Sequence, residues 1–270
     1  MSAPSAPPSG SALAPDGLSF HAPAPPGGIA VGVASRSALL DDLGARLAAG
    51  RGFTLATLNL DHLVKLRADD AFRTAYAAHG HVVADGNPVV WLHRLAGRAV
   101  ELIPGSELVA PLAAAAAAAG APVALLGSTR DVLDAAAARL EADHPGLRVA
   151  VRIAPPMGFD PEGPGADDAI AALGAASASG LCFLALGAPR QERFAARAAS
   201  RLPGWGFASV GAGIDFVAGH QVRAPVWTRR IAMEWAWRLG RDPRRLGARY
   251  AACFAVLPGL AARARAARRG

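Results

Sequence analysis

The sequence predicts an α/β protein whose mostly parallel sheet is covered by helices on both faces. Short apolar runs alternate with longer segments in which apolar residues recur at helical spacing, as in repeated strand and helix units. Two late apolar runs, FLALG and FASVGAG, end in glycines shortly before Gln191 and Asp215. A strand, a glycine turn and a helix N-terminus in succession bring polar groups to the carboxyl edge, where open α/β sheets bind ligands. We therefore expect a Rossmann-like core with a ligand site at that edge.

The predicted elements follow one another along the chain as strand and helix in turn. Arg36–Ala49 has apolar residues at helical spacing and stops at Gly50, and Asp61–Ala78 is amphipathic over its whole length. Pro88 suits the first turn of the helix after the third strand. The expected strands are Ile29–Val33, Phe53–Leu58, His81–Ala84, Pro122–Leu126, Leu147–Ile153, Phe183–Gly187 and Phe207–Gly211. The further helices are Ser106–Ala119, Arg130–Asp143, Ala166–Ser177 and one that begins after Pro189.

Composition divides the chain into three parts. Residues 1–28 are rich in Pro, Ala, Ser and Gly and carry almost no charge, which predicts a disordered leader. Residues 29–221 hold the strand and helix pattern of the core, and residues 222–270 predict a basic helical appendage. We expect the core to fold without the residues after Ala218, because every predicted strand lies upstream of it.

The positive charge is concentrated in the last part of the chain. The whole chain has a net charge of +7, whereas residues 219–270 contain twelve arginines and two acidic residues, a local charge of +10. This asymmetry indicates an anionic partner: a nucleotide diphosphate, a lipid diphosphate, an acidic membrane surface or nucleic acid. No secretory signal or spanning segment is predicted, so we expect a cytoplasmic protein with buried, reduced Cys182 and Cys253 and only peripheral membrane contact.

Asp85 is the strongest candidate for chemistry. It follows the apolar run HVVA directly and precedes Gly86, so its carboxylate is expected at a strand end where a ligand can approach the backbone closely. The alternative is an aspartate that only caps the next helix.

Other strand ends carry neutral or acidic polar residues. Thr57 and Asn59 are able to bond sugar hydroxyls or phosphate oxygens, with turn formation as the alternative for Asn59. Asp215 has helix capping as its alternative. Gly127 opens a Gly-Ser-Thr turn that suits phosphate or ribose, although neither a GxGxxG fingerprint nor a P-loop is present.

The sequence contains no Asp-x-Asp pair and no His/Cys cluster at metal-ligand spacing. We therefore expect a reaction that needs neither metal nor cofactor. Without a metal, a leaving diphosphate requires helix N-termini and arginines to stabilise its charge.

Several motifs, in this order, resemble the WecG/TagA/CpsF glycosyltransferase family. The later ones are GAPRQE, VGAGIDFVAG, RAPVW, EWAWRL and DPRRLGARY, and the earlier block is TLNLDHLVKLRADDAFRTAYAAHGHVVADGNPVVW followed by GSELV. The resemblance covers residues 29–250, and it departs from the family pattern at Glu107, where Asp is more usual.

The resemblance implies a role for each candidate residue. Asp85 would be the general base that takes a proton from an acceptor hydroxyl. The residues implied to position donor and acceptor are Thr57, Asn59, Asn87, Gly127, Gln191 and Asp215. The residues implied to neutralise the diphosphates are Arg238, Arg245 and Arg249.

The implied activity is inverting transfer of a hexose unit from a UDP-sugar to a sugar linked by diphosphate to an undecaprenyl carrier, at an anionic membrane surface. It would serve a surface polysaccharide pathway, and the donors open to it are UDP-linked N-acetylmannosamine, its uronic acid or glucose. The rival is a non-catalytic protein that binds nucleic acid through its basic tail; the absence of aromatic RNA-binding motifs and of a helix-turn-helix signature argues against it.

Overall fold

The computed structural model describes residues 16–21, 24, 27–221, 228 and 233–269, without the side chains of Arg238 and Arg245. Its sheet has six strands in the order β2-β1-β6-β5-β3-β4, and every neighbouring pair is parallel. The strands are β1 (Phe53–Leu58), β2 (His81–Ala84), β3 (Val123–Gly127), β4 (Val149–Ile153), β5 (Gly180–Ala185) and β6 (Trp205–Ser209). The predicted α/β class and parallel sheet are confirmed.

Helices connect the strands and cover the sheet. The helices before β3 are α1 (Arg36–Ala48), α2 (Leu60–Leu66), α3 (Asp70–Ala77), α4 (Asn87–Leu95) and α5 (Gly105–Ala118). Those after β3 are α6 (Arg130–Asp143), α7 (Pro164–Ala176), α8 (Arg190–Arg201), α9 (Gly213–Val217), α10 (Glu234–Arg241) and α11 (Pro243–Ala267).

Both faces of the sheet are buried, which explains why the strands read as continuous apolar runs rather than alternating ones. On β5, Leu181 and Phe183 point into a core formed with α1, α5, α6 and α9. Cys182 and Leu184 alternate with them and face α7 and α8 on the other side. On that second side, the part of the sheet near β1 and β2 is covered by α2, α3, α4 and α11.

The predicted strand Ile29–Val33 does not join the sheet. Its backbone bonds are divided: Ile29 N donates to Gly17 O at 2.8 Å, whereas Gly32 N donates to Val82 O at 3.1 Å. A ladder requires successive bonds to one neighbour, so the segment only borders β2. Its side chains Ile29 and Val31 still lie in the apolar core, as their sequence pattern suggested.

The predicted single helix over Asp61–Ala78 is two helices, α2 and α3. Asp69 lies between them with an extended backbone, and its Oδ1 accepts from Phe72 N at 2.8 Å. Aspartate is a favoured N-cap because it satisfies a donor that a helix start leaves open. Its capping preference therefore overrides the continuous apolar stripe and starts a new helix.

Part of the segment predicted to be a leader packs against the core. Asp16 is fully buried, and both of its carboxylate oxygens accept from Arg263 Nη2, at 2.8 and 3.0 Å. Leu18 and Phe20 join the apolar cluster around α4 and α11. Residues 1–15 lie outside the described part of the chain.

The C-terminal helix α11 belongs to the same core. Leu260 and Ala264 are buried in one apolar cluster with Leu63 of α2 and Val89 of α4. Removal of the residues after Ala218 would uncover apolar surface of α2 and α4, which disfavours a core that folds without them; that expectation stays a prediction. Among the residues described, no helix is long and apolar enough to cross a bilayer.

We predict that Gly127→Ala lowers the free energy of unfolding by about 3 kcal/mol or more. Gly127 has φ 117°, and a Cβ there would overlap the carbonyl group of Ala185 on the neighbouring strand β5. Gly120→Ala is the matched control, because Gly120 also has a positive φ, 64°, but open space around it. Gly120→Ala should lower the free energy of unfolding by only about 1 kcal/mol. Equal losses for the two variants, measured by urea denaturation, would contradict this account.

Candidate active site

The carboxyl edge of the sheet begins at β2 with Asp85. The backbone N of Asp85 donates to Leu58 O at 2.8 Å, which extends the β1–β2 ladder by one residue and holds Asp85 beside the end of β1. The helix α4 is capped by Gly86, with φ 93°, and no side chain bonds its first amides. Asp85 is therefore not the cap of α4, and its half-buried carboxylate lies at the edge itself.

Thr57 and Asn59 lie at the end of the adjacent strand β1. Thr57 is buried; its Oγ1 donates to Ser209 O at 3.3 Å and lies under the first residue of α5, Gly105. Asn59 caps α2, because its Oδ1 accepts from His62 N at 3.0 Å. The Asn59 side-chain oxygen therefore has a local structural role as a helix cap. The Asn59 amide nitrogen is the group that could donate to a ligand.

A second part of the edge lies over β3, β5 and β6. Ser128 Oγ, after Gly127, donates to Asp215 Oδ1 at 3.0 Å and joins the β3 turn to α9. The N-cap of α9 is Ala212, and no side chain caps this helix. The capping alternative for Asp215 is therefore excluded. The restricted space around Gly127 gives this glycine a packing role, and any ligand contact would come from the turn that it permits.

Gln191 and Glu192 form a buried pair in the first turn of α8. Gln191 Nε2 donates to Glu192 Oε1 at 2.9 Å, and both side chains are almost completely buried. Within the described residues, Gln191 Oε1 and Glu192 Oε2 have no hydrogen-bond partner. Burial raises the pKa of Glu192 to about 7, against the hydrogen bond from Gln191 and the charge of Lys65, which lower it.

Tyr76 connects this pair electrostatically to Asp85. Its buried hydroxyl lies 3.3 Å from His62 Nδ1. Burial raises the pKa of Tyr76 most strongly, and the carboxylates of Glu192 and Asp85 raise it further. Burial also lowers the pKa of His62 to about 3, so the ring is neutral at physiological pH. Asp85 and Glu192 thus act electrostatically on the same buried Tyr76 hydroxyl.

A cationic cluster borders the same region. Asp61 Oδ2 lies 2.8 Å from Lys65 Nζ and 2.9 Å from Arg249 Nη2, and Lys65 Nζ also donates to Ala188 O at 3.1 Å. Two cations share one carboxylate, which leaves the cluster positive. Arg249 lies at this edge through its ion pair with Asp61, and its proposed role toward the diphosphates stays a prediction; the side chains of Arg238 and Arg245 lie outside the described structure.

Sequence reasoning missed Asp61, Lys65 and Glu192 as members of the site. Asp61 and Lys65 are four residues apart on α2, a spacing that favours an ion pair and was the available signal. Glu192 had a weaker signal, since its burial depends on how α8 packs on α3. Glu107, the departure from the family pattern, pairs with Arg36 at 3.2 Å in the first turn of α5.

The arrangement suits an anionic ligand and proton transfer. The N-termini of α4, α5, α6 and α8 follow strands or loops at this edge, and the positive end of each helix dipole attracts negative charge. Lys65 and Arg249 add full positive charges, and Asp85 supplies a carboxylate. No group of three or more metal-binding side chains occurs within the described ranges. These features favour an α/β enzyme that binds an anionic ligand at this edge of the sheet.

Comparison with known proteins identifies the family. A model of the "Glycosyl transferase WecG/TagA/CpsF family" matches residues 26–270, so the chain belongs to this glycosyltransferase family. The chain is also similar to the N-acetylglucosaminyldiphosphoundecaprenol N-acetyl-beta-D-mannosaminyltransferase of Bacillus subtilis strain 168. The identity is 25% over 196 residues, which cover 72% of this chain and 73% of the relative.

We predict that Glu192→Gln changes the pH dependence of stability. The folded protein holds the Glu192 proton up to about pH 7, whereas the pKa of an unperturbed glutamate is 4.5. The wild type therefore loses stability as pH rises from 4.5 to 7, and the variant does not, because glutamine carries no charge. The difference in unfolding free energy should reach up to about 3 kcal/mol at pH 8.

Urea denaturation of both proteins between pH 4 and pH 8 measures this difference. His62 and His79, with pKa values lowered by burial to about 3 and about 4, destabilise the fold as pH falls below 6.5. Their effect occurs in both proteins and cancels in the difference. A difference that stays constant across this range would contradict the assignment.

Proposed function

We propose that this chain is an inverting glycosyltransferase that moves a hexose unit from a UDP-sugar to a lipid-linked pyrophosphoryl sugar on an undecaprenyl carrier. The observation that carries the proposal is the position of Asp85, a carboxylate at the carboxyl edge of the sheet that does not cap the helix beyond it. The family and the acceptor named for the Bacillus subtilis relative support the substrate class.

Asp85 would act as the general base. Its carboxylate takes the proton from the acceptor hydroxyl while the hydroxyl oxygen attacks the anomeric carbon of the donor sugar. The bond between that carbon and the diphosphate breaks, and UDP leaves with the electron pair. Attack opposite the leaving group inverts the configuration. Gly86, which has no side chain, lets the acceptor approach the base closely.

The donor diphosphate would bind across the helix N-termini of the edge. Asp215 with Ser128 lies over β3 and β6, and the buried Gln191 lies over β5, so these residues suit the sugar and nucleotide. Thr57 and the Asn59 amide border the acceptor side. Asn87, in the first turn of α4, adjoins the base.

Positive side chains would replace a metal in stabilising the leaving diphosphate. Lys65 and Arg249 bring two cations to the site, where both pair with Asp61, and Arg238 and Arg245 belong to the same proposed set. A peripheral position at the inner face of the cell membrane follows from the acceptor, since its lipid anchor stays in the bilayer.

The alternative of a nucleic-acid-binding tail has less support. Arg249 and Arg263, which contributed to the local charge of +10, make ion pairs with Asp61 and Asp16 inside the molecule. Those arginines hold α11 to the core rather than forming an open basic face.

A transfer assay tests the activity. The chain is incubated with UDP-N-acetylmannosamine, the uronic acid derivative or UDP-glucose, together with an N-acetylglucosaminyl-diphospho-polyprenyl acceptor. We expect one donor to give UDP release that depends on acceptor, a product of inverted configuration, and the same rate in excess EDTA. Release lost in EDTA and restored by Mg²⁺ would contradict metal-independent transfer, and release from no donor would overturn the activity.

We predict that Asp85→Asn lowers kcat by about 10²–10⁴-fold, because a general base contributes a factor of that size. Donor affinity should stay close to that of the wild type, since asparagine keeps the shape and the Asp85 carboxylate acts on the acceptor. Turnover and calorimetric UDP binding are measured on the same folded protein. Turnover near that of the wild type would remove Asp85 from the catalytic role.

A further inference from the structure

An apolar groove runs between α4 and α11 on the surface of the protein. It has a volume of about 280 Å³, near the lower end of the range for small-molecule sites. Its walls contain only apolar residues: Pro88, Trp91, Leu92 and Leu95 from α4, and Leu257, Pro258 and Ala261 from α11. The Trp91 side chain is 48% exposed, so a large apolar surface faces the open side.

The groove begins at the candidate active site. Pro88, in the first turn of α4, is three residues from Asp85, and the lining continues along the helix to Leu95. At the far end, Arg268, the residue after α11, packs over Gly97, where an added Cβ would lie 3.5 Å from the Arg268 Cγ. The two helices therefore run side by side, and the groove extends between them from Pro88, near the base, to Leu95.

The same helix α11 that lines the groove also carries a positive charge at the carboxyl edge. Arg249 pairs with Asp61 at the carboxyl edge, and Leu257 follows eight residues later, about 12 Å along the helix axis. The surface near the site thus presents the Asp85 carboxylate, the cationic cluster around Lys65 and Arg249, and the apolar groove. A lipid-linked sugar diphosphate carries groups that match all three: a hydroxyl, a diphosphate and a hydrocarbon chain.

We propose that this groove binds the first isoprenoid units of the polyprenyl chain of the acceptor. The assignment rests on the proposed function, because it takes the acceptor from there. The groove is open along its length, so the rest of the chain can leave it for the bilayer. Trp91 forms one wall, and the small side chain of Ala261 leaves space for the hydrocarbon. Binding here would hold the acceptor sugar at Asp85 while its lipid stays anchored.

Calorimetric binding of two water-soluble probes tests the groove without requiring catalysis. Farnesyl diphosphate carries three isoprenoid units, and inorganic diphosphate carries none. We expect farnesyl diphosphate to bind at least about tenfold more tightly, as burial of a hydrocarbon in a preformed apolar site predicts. Equal affinity of the two probes would overturn the proposal, whether or not the protein transfers a sugar.

Three variants locate the binding. Ala261→Phe fills the groove and Trp91→Ala removes a wall, so each should abolish most of the advantage of the farnesyl chain. Phe254→Ala is the matched control, since Phe254 is 49% exposed on the same helix but packs against Trp235, with ring centroids 5.2 Å apart, outside the groove. If Trp91→Ala and Phe254→Ala lose affinity equally, the chain is held by the general apolar surface and the groove is rejected.

A sugar-transfer assay tests lipid binding in the groove separately from the proposed function. Acceptors with the same sugar diphosphate and either a polyprenyl or a short alkyl chain are compared in the wild type and in Trp91→Ala. The groove predicts a KM for the polyprenyl acceptor raised about tenfold in the variant, with kcat unchanged and the short-chain acceptor unaffected. Tight farnesyl binding without any transfer would reject the function and keep the groove. Equal losses with both acceptors would reject the groove.

Discussion

The parallel direction of all six strands is the constraint on which the rest of the structure depends. Every strand ends at the same edge, so each connection must return across a face of the sheet, and helices cover both faces. The side chains that follow the strands therefore meet at one edge, although they are far apart in the sequence. Thr57 and Ser209, 152 residues apart, share a hydrogen bond there. The candidate site at the carboxyl edge is therefore a consequence of the parallel direction of the strands.

The last helix, α11, is held to the core by packing and by ion pairs of Arg249 and Arg263. Arg249 bonds the carboxylate of Asp61, and Arg263 bonds the fully buried Asp16. A buried carboxylate without a partner would be strongly destabilising, so these pairs fix where the helix lies. Because the same helix buries Leu260 and also lines the apolar groove, its stability and its contribution to binding are coupled.

Several polar groups at the edge serve the fold and the site together. The Asn59 oxygen caps α2, the Thr57 hydroxyl bonds a carbonyl of β6, and Ser128 bonds Asp215. Such bonds restrict the side chains before any ligand arrives, which favours accurate positioning. Glu192 differs, since its burial costs free energy when it is charged and raises its pKa to about 7. The edge thus combines polar side chains fixed by hydrogen bonds with Glu192, whose raised pKa favours the protonated form.

The sequence by itself determined the α/β class, the order of the elements and the position of Asp85 at a strand end, because these depend on local apolar periodicity and on glycine turns. Local patterns did not show that Asp69 would divide one helix into two, or that the Ile29–Val33 segment would only border the sheet. Tertiary structure alone decided the pairings of Asp16 with Arg263 and of Asp61 with Arg249, and the groove between α4 and α11. These contacts join residues distant along the chain, and they form only when the packing of both faces of the sheet brings those residues together.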